Sequence, residues 1–217
     1  MRVLVTGGAG YIGSVGVEKL ADAGHEVIVL DNLRTGRAPS IDARAHLVTG
    51  DLRDAPALQS IVADTTPEAV LHFAAATIVP ESVAKPDLYF GINTIGGFHL
   101  LEAARAAGVE RFIVSSTAAV YGVPGVIPVR EDAPLRPVSP YGTSKAMFEE
   151  MLQAYRHAYG LRWIAFRYFN VAGATHAHGE DHRPETHLIP NALLAVMGKR
   201  PPLEIFGTDY PTPDGTA

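Results

Sequence analysis

The 217-residue sequence predicts an α/β fold, a doubly wound parallel sheet followed by a partial C-terminal lobe. Three observations carry the prediction. Short apolar, β-branched runs alternate with stretches of helical period along most of the chain. The first run, Val3-Leu4-Val5, opens directly into a glycine-rich turn, Gly7-Gly8-Ala9-Gly10-Tyr11-Ile12-Gly13, then a helical pattern, then a second strand ending in an acid, Asp31. The run Ala69-Val70-Leu71-His72-Phe73 is continuous rather than alternating, as expected where a sheet is covered on both faces.

The chain is 47% hydrophobic and 19% charged, an ordinary globular composition with enough length for a sizeable core. Net charge is −5 and no long basic run occurs, so neither nucleic acid nor an anionic membrane is an expected partner. There are no cysteines, which removes disulfides and thiolate metal sites and fits a reducing compartment. The N-terminus lacks a basic region followed by a long apolar stretch, and no window has the run of about 18 apolar residues a membrane span needs. The expectation is a soluble, cytoplasmic protein.

The glycine turn has a specific physical reading. Gly7 can take a backbone angle closed to other residues. Gly10 lets the backbone approach a pyrophosphate, and Gly13 lets the helix lie close to the strand. N–H groups at the helix start, around Tyr11 and Ile12, then face the anion. The helical pattern Tyr11 to Ala23 stops at Gly24. His25 to Leu30 is the second strand, and Asp31 is placed to accept hydrogen bonds from ribose hydroxyls. The spacing is Gly-x-x-Gly-x-x-Gly, and its weight comes from the strand, helix and terminal acid around it.

Residues 32–45 read as a loop with a helical turn. His46 to Gly50 is a third strand followed by Asp51, a carboxylate that can meet the adenine end of a dinucleotide. Asp54 is the better cap for a helix from Ala55 to Ala63. After the fourth strand, Ala69 to Phe73, Ala74-Ala75-Ala76 makes a small-residue turn with room for a flat ring. His72 reads as a satisfied core histidine. Pro86 to Ala107 reads as one long helix with soft points at Gly91, Gly96 and Gly97. Glu110 to Val114 is the fifth strand, with Ser115-Ser116-Thr117 at its carboxyl end, where open α/β sheets bind ligands. Residues 122–140 form a surface loop, Tyr141 to Tyr159 a second long helix, and Trp163 to Tyr168 a sixth strand. After Gly173 the composition turns polar and histidine-rich. His187 to Met197 is an amphipathic helix, and Leu203 to Phe206 a short strand, which makes six or seven strands in all. Residues 1–173 are taken as the dinucleotide-binding domain and 174–217 as the partial substrate lobe.

Tyr141 and Lys145, four apart at a helix start, face the same way. A nearby ammonium favours the phenolate over the ordinary phenol, whose pKa is near 10. With Thr117 to relay a proton or orient a hydroxyl, these groups can take a proton from an alcohol while a nicotinamide takes the hydride. His176, His178, His182 and His187, with Glu180 and Asp181, do not follow a closed tetrahedral spacing. They are read as a solvated loop touching substrate, with no metal expected.

At this point the chain resembles the extended short-chain dehydrogenase/reductases and, within them, the UDP-glucose 4-epimerases. The likeness runs from Met1 to the last residue. It is carried by Val5-Thr6-Gly7 through Gly13, Gly50-Asp51-Leu52, His72-Phe73-Ala74-Ala75, Ser115 through Gly122, Ser139 through Lys145, Arg167 through Ala174, Glu185 through Pro190 and Phe206 through Thr212. The resemblance implies a Rossmann-like domain and NAD as cofactor. Asp31, Asn32, Asp51 and Leu52 would hold its adenosine half, and Phe73, Ala74, Asn93, Tyr141, Lys145 and Tyr168 its nicotinamide half, with Ala75 and Ser115 in the same stretches. Tyr141 would be the base and Thr117 its partner, while Asn170, His187, Leu188 and Phe206 would touch a UDP-sugar. The implied reaction takes a hydride from C4 of the sugar, turns the 4-keto intermediate over, and returns the hydride to the other face. A homodimer built on the two long helices is also implied.

There are departures. Ser14-Val15-Gly16 stands where the family usually has Ser-His-Thr, and Thr77 where some members carry a lysine. The chain ends before the arginine that usually holds the diphosphate, so a truncated member with slow turnover and accumulating reduced cofactor is expected. Three alternatives remain beside the epimerase. One is a sugar-nucleotide 4,6-dehydratase, whose relatives carry an Asp-Glu pair where this chain has Ala118 and Ala119. The others are a reductase using free cofactor and a non-catalytic NAD-binding remnant.

Overall fold

The computed structural model describes residues 1–182, 185–205 and 207–215. They divide into two compact units, Met1–Gly179 and Glu180–Ala217.

In the first unit six strands form one parallel sheet: β1 (Arg2–Thr6), β2 (Glu26–Asp31), β3 (His46–Thr49), β4 (Ala69–His72), β5 (Arg111–Thr117) and β6 (Arg162–Tyr168). Their order is β3-β2-β1-β4-β5-β6. The chain steps outward from β1 to β3, then returns to β1's other side and steps outward again. The reversal opens a crevice between β1 and β4 at the carboxyl ends of the strands, where such sheets bind ligands. The register sets Thr6 opposite His72 on β4 and Leu30 on β2.

Strand alternation sorts β1 between two cores. Leu4, with Ile28, Leu30, Val70, Phe112 and Val114, packs against α2 (Ala55–Thr65), α5 (Gly97–Ala106) and α6 (Pro140–Tyr159) through Leu58, Leu101, Phe148 and Leu152. Val3 and Val5, with Val27 and Val29, pack on the other face against Val17 of α1 (Tyr11–Asp22). Full burial of one such side chain contributes about 1.5–3 kcal/mol over exposure. Helix ends follow the sequence signals. Asp54 caps α2 by accepting from the Ala57 amide at 3.1 Å. Gly24 and Gly160 follow α1 and α6 with φ of 78° and 74°.

Several expectations are corrected. The long helix from Pro86 is not uniform: α4 (Pro86–Tyr89) runs into a π-helical stretch, Phe90–Gly96, before α5. Two of the glycines there, Gly96 and Gly97, are contact points. A Cβ on Gly96 would lie 2.9 Å from the Leu52 Cβ, and one on Gly97 2.8 Å from the Phe148 ring. A further short helix, α3 (Val79–Ala84), begins around Pro80 and has no counterpart in the sequence reading. Strand β5 extends through Ser115-Ser116-Thr117, which pair with Phe166, Arg167 and Tyr168 of β6. Leu203 to Ile205 form no strand, and Phe206 lies outside the described residues. Gly16 is explained by contact: a Cβ there would sit 3.2 Å from the Phe73 ring.

The first unit extends beyond Gly173 because Thr175 donates to Glu18 of α1 at 2.5 Å and His178 Nδ1 lies 3.3 Å from the same carboxylate. The second unit contains α7 (Leu188–Val196), which has no buried residue; its Leu188, Ile189, Leu193 and Val196 are exposed. Among the described residues no helix is long and apolar enough to cross a membrane.

Candidate active site

The glycine turn joins β1 to α1. Gly7 has φ 73°, and a Cβ on it would lie 2.4 Å from the Ala74 amide nitrogen. The turn therefore presses directly on the chain leaving β4. The Phe73 and Ala74 amides both donate to the Thr6 carbonyl, at 2.9 and 3.0 Å. A Cβ on Gly13 would lie 2.0 Å from the Gly7 carbonyl oxygen, so α1 can start here only with glycine. Gly10 differs: its φ is −82°, and its nearest neighbour would be 3.4 Å from a Cβ. Among the described residues no side chain caps α1, and no acid stands in its first turn. The positive end of the helix, with Tyr11 and Ile12 half-buried beside it, is thus left for an external anion. The Tyr11 hydroxyl donates to the Gly173 carbonyl at 2.5 Å.

Asp31 ends β2, buried. Its two oxygens accept from the Ala9 amide at 3.0 Å and the Leu33 amide at 2.8 Å. A carboxylate has about four acceptor positions, so it is fixed in place with capacity for further hydroxyls. Asn32, exposed beside it, donates to Asp51 at 2.9 Å. Asp51 is also gripped by Arg53 at 2.7 Å, and that guanidinium holds its carboxyl well below the usual range. Leu52 is buried next to it.

On the other side of the crevice, Phe73, Ala74 and Ala75 are half-buried. Asn93, in the π-helical stretch, pins this turn. Its oxygen accepts from the Ala76 amide at 2.8 Å, and its nitrogen donates to the Ala76 carbonyl and the Ser144 hydroxyl, both at 3.0 Å. It thereby ties β4's exit to α6, the helix carrying Tyr141 and Lys145. His72 is a core residue: its Nδ1 is 2.7 Å from the Thr6 hydroxyl, and burial pushes its pKa down to about 3.

Helix α6 begins with Ser139 accepting from the Gly142 amide at 3.2 Å, and Pro140 in the first turn. Gly142 is required by contact: a Cβ would meet the Ala119 carbonyl oxygen at 2.6 Å. That approach sets Tyr141 beside Thr117, the last residue of β5. Burial pushes the Tyr141 phenol up, and its hydrogen bond with the Thr117 hydroxyl pulls it back down. Thr117 Oγ1 also accepts from the Ala119 amide at 3.1 Å. Lys145, one turn further, is buried and donates to the Ser115 carbonyl at 2.8 Å. Burial lowers its pKa to about 8, with Glu149 opposing. The ammonium thus grips a carbonyl next to Thr117, and Tyr141 is raised, where the sequence reading expects the lysine to lower it. Tyr168 ends β6 half-buried and stacks on Phe166 with centroids 6.0 Å apart.

Asn170 follows β6, exposed. His187 and Leu188 belong to the second unit, at the start of α7 and exposed. Phe206 lies outside the described residues.

Residues 3–217 match the model of a family described as the NAD dependent epimerase/dehydratase family. The chain belongs to that family. It is 51% identical over 99% of its length to a UDP-glucose 4-epimerase of Azospirillum brasilense, covering 62% of that protein. Similarity to a UDP-glucose 4-epimerase of Lacticaseibacillus casei is 47% identity over 100% of this chain and 66% of the relative. A crystal structure of UDP-glucose 4-epimerase from Brucella ovis in complex with NAD superposes with a TM-score of 0.93 at 44% identity, over 98% of this chain and 66% of that one. One from Bifidobacterium longum in complex with NAD+ and UDP also gives a TM-score of 0.93, at 33% identity, over 100% of this chain and 68% of that one. The chain therefore spans somewhat under two-thirds of the length of the curated relatives it matches.

Within this epimerase/dehydratase fold a buried group stands behind the site that sequence reasoning did not single out. Glu149 of α6 is buried and accepts from the Ser116 hydroxyl of β5. Arg167 of β6 forks onto it, with its closest contact 2.6 Å. Arg167 also donates to the Tyr121 hydroxyl at 2.8 Å and to the Glu131 carbonyl at 2.9 Å. The group clamps together the three elements that carry Thr117, Tyr141 and Tyr168. Its only sequence signal is Glu149 at four residues after Lys145, on the same helix face.

Proposed function

We propose that the chain performs NAD-dependent 4-epimerisation of a UDP-hexose of the UDP-galactose/UDP-glucose type, through a transient 4-keto sugar. One observation carries this reading: Tyr141, half-buried, stands beside Thr117 and one turn before buried Lys145, at the ligand-binding end of a parallel sheet whose first helix is uncapped among the described residues. The relatives' names and the NAD and UDP bound in related structures support the substrate and cofactor.

The residues present fit NAD. The Gly10 side of the turn has room that a Cβ would narrow, while Gly13 is held by contacts within the turn and Gly7 by the backbone of Phe73 and Ala74. Asp31 keeps acceptor capacity for two ribose hydroxyls and would repel a 2′-phosphate, so NAD is favoured over NADP. Asn32, Asp51 and Leu52 line the adenosine side. Phe73, Ala74, Ala75, Asn93, Ser115 and Tyr168 flank the nicotinamide side. Bound there, NAD supplies a reversible hydride acceptor. Lys145 favours the phenolate form of Tyr141, which takes the proton of the sugar 4-hydroxyl and becomes the phenol, while Thr117 orients that hydroxyl. Asn170, His187, Leu188 and Phe206 are assigned to the UDP-sugar, with residues 1–173 as the dinucleotide-binding part and 174–217 as part of the substrate lobe. A cytoplasmic setting belongs to the same reading.

A dehydratase needs an acid pair after Thr117, and Ala118 and Ala119 offer no proton donor. A non-catalytic module leaves the Tyr141–Thr117–Lys145 set without a purpose. The test is to load the chain with NAD and add UDP-galactose. The bound cofactor is reduced in the parent. Tyr141→Phe retains NAD, since the ring stays, but loses reduction by about 10²-fold or more. Equal reduction in the variant would remove Tyr141 as the base.

We further propose a homodimer through α5 and α6. Ile95 and Phe98 before and within α5, and Met147 of α6, are large apolar side chains left 53%, 41% and 45% exposed. A two-fold pair is the commonest way to cover such a stripe. Light scattering at micromolar concentration should give twice the chain mass, and a monomer would remove the proposal.

A further inference from the structure

In the second unit, Glu180, His182 and His187 each bring one donor atom within 4.8 Å of the others. They stand at the two ends of the segment that leads into α7, whose N-cap is His187. His182 Nδ1 contacts Glu180 Oε1. The other oxygen of Glu180 is buried and has no hydrogen-bond partner among the described residues; His187 Nδ1 is 3.6 Å from it. The two imidazoles are tilted at 50° with centroids 4.9 Å apart. The same His187 Nδ1 lies 2.7 Å from Glu185 Oε1.

A buried carboxylate oxygen without a donor is unfavourable unless a positive charge satisfies it. Two imidazoles and a carboxylate are borderline ligands that suit zinc above calcium or magnesium, which prefer all-oxygen sites. A carboxylate hydrogen-bonded to a metal-ligating histidine fixes the ring's orientation. The sequence reading dismisses a metal because the spacing is open and no cysteine is present. The folded segment overrides the spacing, since it brings His187 back beside Glu180 and His182.

We propose that Glu180, His182 and His187 bind one zinc ion, with Glu185 orienting His187, and that the ion pins this segment to the start of α7. Three protein ligands leave a fourth position for water. The proposal does not rest on the epimerase reading, because zinc binding is measured without nucleotide or sugar.

The experiment strips the full 217-residue chain with a chelator and titrates it with zinc sulfate by calorimetry at neutral pH. One ion per chain is expected. His182→Ala and Glu180→Gln should each weaken binding by about tenfold or more, while His176→Ala, an exposed histidine of the first unit, leaves it unchanged. Cobalt in place of zinc should give the visible bands of a four-coordinate ion, and these should vanish in His182→Ala. Far-UV circular dichroism checks that the variants keep the parent's helix content. No stoichiometric binding by the parent overturns the proposal. So does binding that survives both His182→Ala and Glu180→Gln, which would put the zinc on other histidines.

Discussion

The two ends of the candidate site are built by opposite means. At the glycine turn, the decisive feature is what is missing: Cβ atoms at Gly7 and Gly13 and a cap on α1. Its geometry is set by backbone atoms: those of the turn itself around Gly13, and those of Phe73 and Ala74 against Gly7. At the Tyr141 end, the decisive features are buried charges: Lys145 on the Ser115 carbonyl, and Glu149 between Ser116 and Arg167. Those groups come from β5, α6 and β6. The first end fails when an atom is added, and the second when one is removed. This asymmetry can be tested.

The largest effect is expected at Gly13. Gly13→Ala puts a methyl 2.0 Å from the Gly7 carbonyl oxygen and 2.8 Å from the Gly8 Cα. These are backbone atoms held by β1 and by the Gly10 amide, which donates to the same Gly7 carbonyl at 3.2 Å. Neither rotamers nor a flexible tip can relieve the clash. The variant should lose more than about 4 kcal/mol, the range reserved for strain of this kind. It should then fail to accumulate as folded protein or melt far below the parent. A thermal melt within a few degrees of the parent would show that the turn can open.

A smaller loss is expected from Glu149→Ala. Removing one member of a buried pair costs about 3–5 kcal/mol, because the other charge is left without a partner. Arg167 is 22% exposed, so water repays part of that and the lower end, about 3 kcal/mol, applies. For a chain of this size the melting temperature should fall by roughly 6–12 °C. Arg130→Ala is the control. Arg130 and Asp132 also form an ion pair, at 3.0 Å, but both are more than 70% exposed, and exposed pairs contribute little. Its melt should match the parent. Equal effects from the two variants would mean that Glu149 clamps nothing.

The same asymmetry decides what the sequence discloses. The turn is legible because its signal is local: three glycines at fixed spacing, a strand before, a helix and Asp31 after. Tyr141 and Lys145 are legible because they sit four apart at a helix start. The clamp behind them is not. Ser116 lies in a strand end of small polar residues, Glu149 in an otherwise amphipathic helix, and Arg167 in a strand. Each looks like a surface group until β5, α6 and β6 are packed together. The π-helical stretch is hidden for a related reason: Gly91, Gly96 and Gly97 signal softness but not that Gly96 and Gly97 face Leu52 and Phe148. Gly16 looks like a defect in a helix until Phe73 is seen against it. The strand read at Leu203 to Phe206 rested on a short apolar run, and such runs do not distinguish strand from loop without a partner.

The smallest effect on the fold, and the sharpest test of the turn, is expected at Gly10. Its φ of −82° and ψ of 176° are open to any residue, and the nearest atom to an added Cβ would be 3.4 Å away, an ordinary contact. Gly10→Ala should therefore fold. Alanine is a poorer N-cap than glycine, which costs at most about 1 kcal/mol and lowers the melt by no more than roughly 4 °C. The proposed cofactor meets a different surface. If the α1 N-terminus receives a pyrophosphate, the new methyl stands where the phosphate oxygens approach the backbone, and a displacement of that kind breaks charge-assisted bonds to the helix end. NAD affinity should drop by about tenfold or more, the equivalent of losing one such bond. Calorimetry with NAD beside a thermal melt separates the outcomes. Unchanged affinity in a folded variant would mean that the anion does not sit at this turn. A melt as low as that of Gly13→Ala would mean that Gly10, too, is held by the fold rather than reserved for a ligand.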